Sequence, residues 1–526
     1  MSQTYPPIPY LRPQGYAQQL IVDGQPFLML AGEIHNSSSS SLAYMEPLWD
    51  RLAAMGLNTV IAPLYWELVE PKEGQFDFHL LDGLVEGARV RDLRLVLLWF
   101  ASWKNAASSY VPGWVKTDPG RFPRMQLAPG QDSNALSCFG QESREADARA
   151  FAAVMRRIRM IDEGRHTVLM MQVENETGVL GAPCDRSPLA EAAFAEPVPA
   201  ALTGYLRAHR ESLVPEFRQG WEAAGSKMSG SWYEVFGEGG AEVFMAWHIG
   251  RYVDRVAEAG KAEYGLPMLA NAWLKVGASA VAGFYPSGGP VYTMLDVWKA
   301  AAPHIDVLAP DIYAADFRGV CAAYTRPDNP LIIPETHRDA RAASTALYAF
   351  AQHDAICFAP FGIDGAQVPH PLTDSYRLLA EMMPLLCERQ GQGSRRMAGF
   401  FQQGDDEQWE IELGGYVLRI QARWPLDTGR PPGGGMVLDL GDGEFCVAGR
   451  SITVEFGTAP GRTDVEFLWL EEGAYRDGEW VPGRRLNGDE TAHGRAVKLG
   501  AELAVCRLRL NRAVMPIRHQ ERMLPG

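Results

Sequence analysis

Long apolar runs, clustered cysteines and an excess of positive charge are all missing from this chain of 526 residues. No uninterrupted apolar stretch approaches the roughly 20 residues needed to span a bilayer. The opening MSQTYPPIPYLRPQG also lacks the basic-then-apolar order of a secretory leader. The 7 cysteines (138, 184, 321, 357, 387, 446 and 506) are scattered, with no CxxC or Cys/His group, so neither a zinc motif nor a disulfide framework is indicated. With 49 Lys and Arg against 64 Asp and Glu, the formal charge is −15. That balance argues against nucleic acid and anionic membrane surfaces as partners. There is no Gly-x-Ser-x-Gly elbow and no His-Glu-x-x-His helix. Gly237–Gly240 and Gly433–Gly435 lack the Lys-Ser/Thr that would make a phosphate loop. These absences leave a soluble, cytoplasmic protein with a neutral substrate and no metal or cofactor, and a homo-oligomer stays open.

Hydrophobic residues at 47% and charged residues at 21% describe an ordinary globular chain, and its length calls for two or three domains. Up to about residue 390, short apolar runs alternate with longer helical patterns, as βα repeats do. Eight runs read as strands: 27–33, 58–64, 93–99, 167–173, 267–273, 305–310, 330–334 and 355–360. They are apolar without strict alternation, as parallel strands covered on both faces should be. Helical patterns fall at 45–55, 80–91, 142–161, 242–264 and 292–302; in the third, Phe151, Val154, Met155, Ile158 and Ile161 recur at three- and four-residue steps. Eight such units predict an α/β fold, a closed (β/α)8 barrel over residues 1–390. A doubly wound sheet would carry a Gly-rich loop after its first strand, where this chain has Glu33-Ile34-His35-Asn36-Ser37. Residues 178–240 form a long insertion of the kind that builds lids and rims.

After Gln390-Gly391-Gln392-Gly393-Ser394, a plausible linker, short alternating runs separated by Gly/Asp turns predict a β-sandwich-like domain over 391–526. Its four tryptophans (409, 424, 469 and 480) suit an ordinary core, so support of the barrel is favoured over sugar binding.

Two of the barrel strands end in a glutamate. Met170-Met171-Gln172-Val173-Glu174-Asn175-Glu176 closes the fourth, and Leu331-Ile332-Ile333-Pro334-Glu335 closes the seventh. Barrel catalysts take their residues from strand ends. A carboxylic acid that protonates a departing oxygen, facing a carboxylate that attacks carbon or activates water, is the apparatus of glycoside hydrolysis. Carboxyl groups about 5–5.5 Å apart would mean retention of configuration. Either glutamate alone is as well explained by an ion pair or a helix cap. Glu174 rivals Glu176; two residues apart on a strand they share a face, and the deeper Glu174 is read as structural, a choice that pattern alone leaves open.

At this point the residues resemble a known group. Asn175-Glu176 after strand four and Glu335 after strand seven resemble the clan of retaining (β/α)8 glycosidases. Gln172-Val173-Glu174-Asn175-Glu176 with Gly178 resembles the acid/base motif of glycoside hydrolase family 35, the β-galactosidases. Gly32, His35, Gly56-Leu57-Asn58-Thr59-Val60, Trp66, Glu70-Pro71, Gly74, Phe76 and Phe78 extend the likeness through the barrel's first half. Ala62-Pro63, Thr177 and the run Trp99–Asn105 depart from the usual family pattern. They resemble a branch with a β-rich C-terminal domain that includes bacterial enzymes acting on galactose side chains of xyloglucan.

The resemblance implies Glu176 as acid/base, Glu335 as nucleophile, Asn175 as a ligand of the sugar 2-OH, and Tyr313 as a hydrogen-bond donor to the nucleophile. Trp66, Trp99, Trp103 and Trp273 lie at or just past strand ends, and one or two are expected to stack on sugar; Trp66 and Trp103 are the named candidates. Asn105 and Glu33 are candidate hydroxyl ligands, His35 and Asn36 further ones, and Asp364 has no assigned task. The expected activity is removal of terminal β-D-galactosyl residues from oligosaccharides. An α-L-arabinopyranosidase on the same machinery and a non-catalytic carbohydrate-binding barrel are the alternatives.

Overall fold

The computed structural model describes residues 8–511 except 276, 278, 279, 393, 394 and 406. Its packing forms two compact units that interleave along the chain. The first holds Leu20–His337 and Cys357–Ala366; the second holds Pro13–Gln19, Arg338–Ile356 and the chain from Gln367 onward.

The first unit is a barrel of parallel strands: β1 (Met29–Glu33), β2 (Thr59–Tyr65), β3 (Arg94–Phe100), β4 (Val168–Val173), β5 (Met268–Trp273), β6 (Val307–Ile312), β7 (Ile332–Ile333 and Glu335–Thr336) and β8 (Cys357–Phe358). Each pairs with the next in chain order, and β8 returns to β1. Strand β7 is in two pieces because Pro334 has no N–H to give to a ladder. Its first piece pairs with β8 and its second with β6. All seven residues of β2 and all six of β4 are buried, which is the reason these runs show no alternation.

The flanking helices follow their apolar spacing. His79–Arg89 buries Leu81, Leu84, Val85 and Ala88, and Gln141–Asp162 buries Phe151, Val154, Met155 and Ile158. The insertion after β4 folds into short helices, Pro188–Phe194, Ala200–Ala208, Pro215–Ala223 and Trp232–Phe236. Trp232 packs edge-on against Phe244 at 5.2 Å, so this segment packs onto the helix Gly240–Glu263 that follows it.

In the second unit a six-stranded and a four-stranded antiparallel sheet enclose a shared core that includes Phe400, Leu418, Ile420, Val437, Phe445, Val454, Phe456 and Leu508. Helices Ala342–His353 and Pro371–Arg389 belong to this unit. Of the expected linker, Gly393 and Ser394 lie outside the described residues. Gln390 is buried, and its amide donates to the Asp354 and Ala355 carbonyls at 3.2 and 3.4 Å. The edge strand Glu479–Leu486 escapes the sequence reading because it is largely exposed and carries Pro482, so it shows no apolar alternation.

Candidate active site

The C-terminal end of β4 leaves the sheet abruptly. Glu174 and Glu176 both adopt left-handed backbone, with φ of 62° and 46°. The strand period of two therefore stops at Val173, and the two glutamates diverge. Glu174 accepts the Trp103 N–H at 2.6 Å and faces Asp147 in a closed pocket. Asp147 in turn accepts from Trp99 Nε1 at 2.8 Å and from Ser102 Oγ at 2.5 Å. Glu176 turns the other way, into a pocket of about 630 Å³ at the mouth of the barrel. Its backbone is pinned on two sides: its N–H donates to Asn271 Oδ1 at 3.0 Å, and its carbonyl accepts from Ala106 N–H at 3.0 Å. Gly178 follows with φ of 146°, and a Cβ there would come within 2.5 Å of Pro286, so only glycine fits the turn.

Glu335 enters the same pocket from the second piece of β7. Asn175 Nδ2 donates to its Oε1 at 3.3 Å and Tyr313 OH to its Oε2 at 3.0 Å. Those two donors fix the orientation of the carboxylate. Glu176 is treated differently. Burial first, and the charge of Glu335 second, push its proton affinity up to about 7, against the pull of Lys104, Asp311 and Asn105. Asn105 Nδ2 donates to Glu176 Oε2. Two carboxyl groups in one pocket thus have different surroundings, and that of Glu176 favours its protonated form.

Several expected residues are elsewhere. Trp66 is fully buried and donates from Nε1 to Glu70 Oε2 at 2.8 Å. Trp103 is fully buried edge-on against Tyr252, with ring centres 4.8 Å apart. Neither forms part of the pocket wall, and the tryptophan that does line it is Trp273, 37% exposed at the end of β5. Glu33 is also absent from the wall. It lies wholly buried, and both its carboxylate oxygens lack hydrogen-bond partners among the described residues. Asp364 has a task after all: it accepts from the His35 N–H at 3.0 Å and Ser38 Oγ at 2.7 Å, and fastens the loop after β1. His35 Nδ1 is 2.9 Å from the same carboxylate, and Asn36 lines the pocket. No residue of the 178–240 insertion lines it, so the lid expected there is not a wall of this site.

Sequence reasoning missed Lys104, Asp311 and Phe361, which line the pocket. The Lys104 ammonium sits 5.1 Å from the Phe100 ring centre and is the cation among these carboxylates. Asp311 closes β6 two residues before Tyr313, within the Pro-Asp-Ile-Tyr run that had pointed to the tyrosine. One oxygen from each of Glu176, Asp311 and Glu335 lies within 4.8 Å of the other two, a spacing that also fits a metal ion. Among the described residues no helix is long and apolar enough to cross a membrane.

The fold and the site thus define a (β/α)8 barrel with a carboxylate pair at the ends of its fourth and seventh strands. Comparison with known proteins agrees with the resemblance read from the sequence. The family model of glycosyl hydrolases family 35 matches residues 19–97, and a domain of unknown function, DUF5597, matches residues 372–498. A β-galactosidase of Xanthomonas manihotis is 43% identical over 60 residues, 11% of this chain and 10% of that protein. Beta-galactosidase 11 of Arabidopsis thaliana is 26% identical over 164 residues, 30% of this chain and 18% of that protein. The chain thus spans less than a fifth of the length of either relative. A β-galactosidase structure from Bacillus circulans sp. alkalophilus superposes with a TM-score of 0.47 and 15% identity, covering 70% of this chain and 57% of that one.

Proposed function

We propose that this chain is a retaining exo-glycosidase that removes terminal non-reducing β-D-galactosyl residues from oligosaccharides, galactose-bearing xyloglucan fragments among them. One observation carries the reading: two strand-end glutamates share an open pocket with their nearest oxygens within 4.8 Å, and their surroundings separate an acid from a nucleophile.

In the first half-reaction a Glu335 oxygen bonds to the anomeric carbon as the glycosidic bond breaks, and Glu176 passes its proton to the departing oxygen. In the second, Glu176 takes a proton from water as that water's oxygen displaces Glu335. Asn175 Oδ1, buried and without a partner among the described residues, suits the sugar 2-OH. All seven cysteines are buried free thiols, which supports a reducing, cytoplasmic setting and imported oligosaccharides as substrate.

The test is turnover of 4-nitrophenyl β-D-galactopyranoside by the wild type and by Glu335→Gly with added azide. Rescue that yields the α-galactosyl azide assigns both nucleophile and mechanism. Faster turnover of the α-L-arabinopyranoside would transfer the specificity to that sugar. Silence of the wild type on a panel of aryl glycosides would leave a carbohydrate-binding barrel.

A further inference from the structure

Under the catalytic pair lies a carboxyl group that the two-carboxylate mechanism does not use. Asp311 is 3% exposed, and its Oδ2 accepts from Asn271 Nδ2 at 2.7 Å. The same Asn271 side chain accepts the Glu176 N–H, so one amide ties Asp311 to the backbone of the acid/base. The other oxygen, Oδ1, is buried and receives no N–H or O–H donor among the described residues, while the carboxyl group meets that of Glu176 and lies beside Glu335. An ionised carboxylate cannot stay so placed: it would be buried, short of a donor and next to like charge. A proton resolves all three difficulties, because the orphan oxygen then becomes a hydroxyl whose acceptor is Glu176.

We propose that Asp311 is a neutral carboxylic acid at the working pH and serves as a positioning residue, donating its O–H to Glu176 whenever Glu176 is ionised. The inference rests on the glycosidase reading above. Charge balance suits it. When Glu335 becomes an ester, its negative charge disappears and Glu176, having lost its proton to the leaving group, carries one instead. The Asp311 O–H is placed to hold that new charge until water returns a proton to Glu176. The Asp311 proton itself never leaves. Glu176 is faced by Glu335 from β7, Asp311 from β6, and Lys104 and Asn105 from the loop after β3; Asp311 is faced by Glu33 from β1 as well. In that setting burial, then Glu335, raises the Asp311 proton affinity well above the carboxylate range, while contact with Asp311 lowers that of Glu176.

Asp311→Leu removes the donor. The charged form of Glu176 then loses support, so the alkaline limb of kcat/KM should move up by about one pH unit. Substrates with poor leaving groups should slow by roughly 10–100-fold, more than activated aryl glycosides do. Asp311→Asn offers an amide N–H to Glu176 and a carbonyl to Asn271, and should recover most of that loss and return the limb. If Asp311→Asn is folded, with unchanged circular dichroism, yet as slow as Asp311→Leu, the aspartate is needed as an anion and the proposal fails. It fails equally if EDTA abolishes activity and a divalent cation restores it, because the three carboxylates would then hold a metal. Infrared difference spectra of wild type against Asp311→Asn at neutral pH need neither turnover nor the leucine variant. Loss of a carboxylic-acid C=O band supports the proposal, and loss of a carboxylate band overturns it. Absence of turnover in the wild type would sink the glycosidase reading and leave this spectroscopic result standing on its own.

Discussion

Glu174 and Glu176 stand two residues apart, both in left-handed backbone, and each faces a buried aspartate. Burial raises the proton affinity of both. What separates them is access. Glu174 with Asp147 is sealed beneath Trp99, Ser102, Trp103 and Tyr252, where Ser102 Oγ lies 2.8 Å from the Tyr252 hydroxyl. Glu176 with Asp311 opens onto the pocket that also holds Glu335. A perturbed carboxyl is thus no mark of chemistry by itself. The closed pair holds the loop that carries Lys104 and Asn105, and that loop delivers both to the pocket of the open pair.

The sharpest way to break this comparison is to remove the acid from each side. Glu176→Gln should lower kcat/KM on substrates with poor leaving groups by about 10²–10⁴ with little change in melting temperature. Glu174→Gln should cost less than about tenfold and act mainly on stability. Comparable losses from the two variants, on equally folded protein, would erase the distinction.

Next in size is the pH response. Glu176 must hold a proton for the first step, so kcat/KM should fall about tenfold per unit above pH 7, where the group is poised. A limb several units higher would take the acid role away from Glu176. Stability should respond to the closed pair. Glu174 keeps in the folded state a proton that the unfolded chain releases near the ordinary carboxylate value. Its contribution is therefore fully present below that value and lost as pH rises towards the folded one. The slope is up to about 1.4 kcal/mol per pH unit for one group, and urea unfolding of Glu174→Gln between pH 5 and 8 should show a flatter loss. The smallest expected effect separates the tryptophans. Trp273→Ala should raise KM by roughly tenfold, about the 1.4 kcal/mol of a lost ring contact, whereas Trp66→Phe should leave KM alone.

Much of this architecture was legible beforehand because parallel strands covered on both faces leave an unmistakable apolar run, and because a barrel gathers its strand ends at one mouth. Those two facts were enough to expect Glu176 and Glu335 at one mouth, where both line the same pocket. The failures have physical causes too. Relating Glu174 to Glu176 by strand period presumes extended backbone, and the left-handed turn after Val173 cancels it. Proximity to a strand end cannot say which way an indole turns, so Trp66 and Trp103 looked as available as Trp273. Glu33 sits on a strand end as expected but is sealed from the pocket. Lys104 passed unremarked because a charged residue just past a strand usually points to water, and Asp311 because the strand was read as ending at residue 310, with attention on Tyr313.

The break at Pro334 has a consequence for how the protein wears out. The barrel closes through β7, whose two pieces are two residues each and grip different neighbours, and Glu335, the proposed nucleophile, is the first residue past the break. A short, divided join of the cylinder and Glu335 are therefore the same place. Under the proposed activity, gentle heating that unfastens this join should displace Glu335 while the helices are still intact, so loss of turnover is expected before any spectroscopic sign of unfolding.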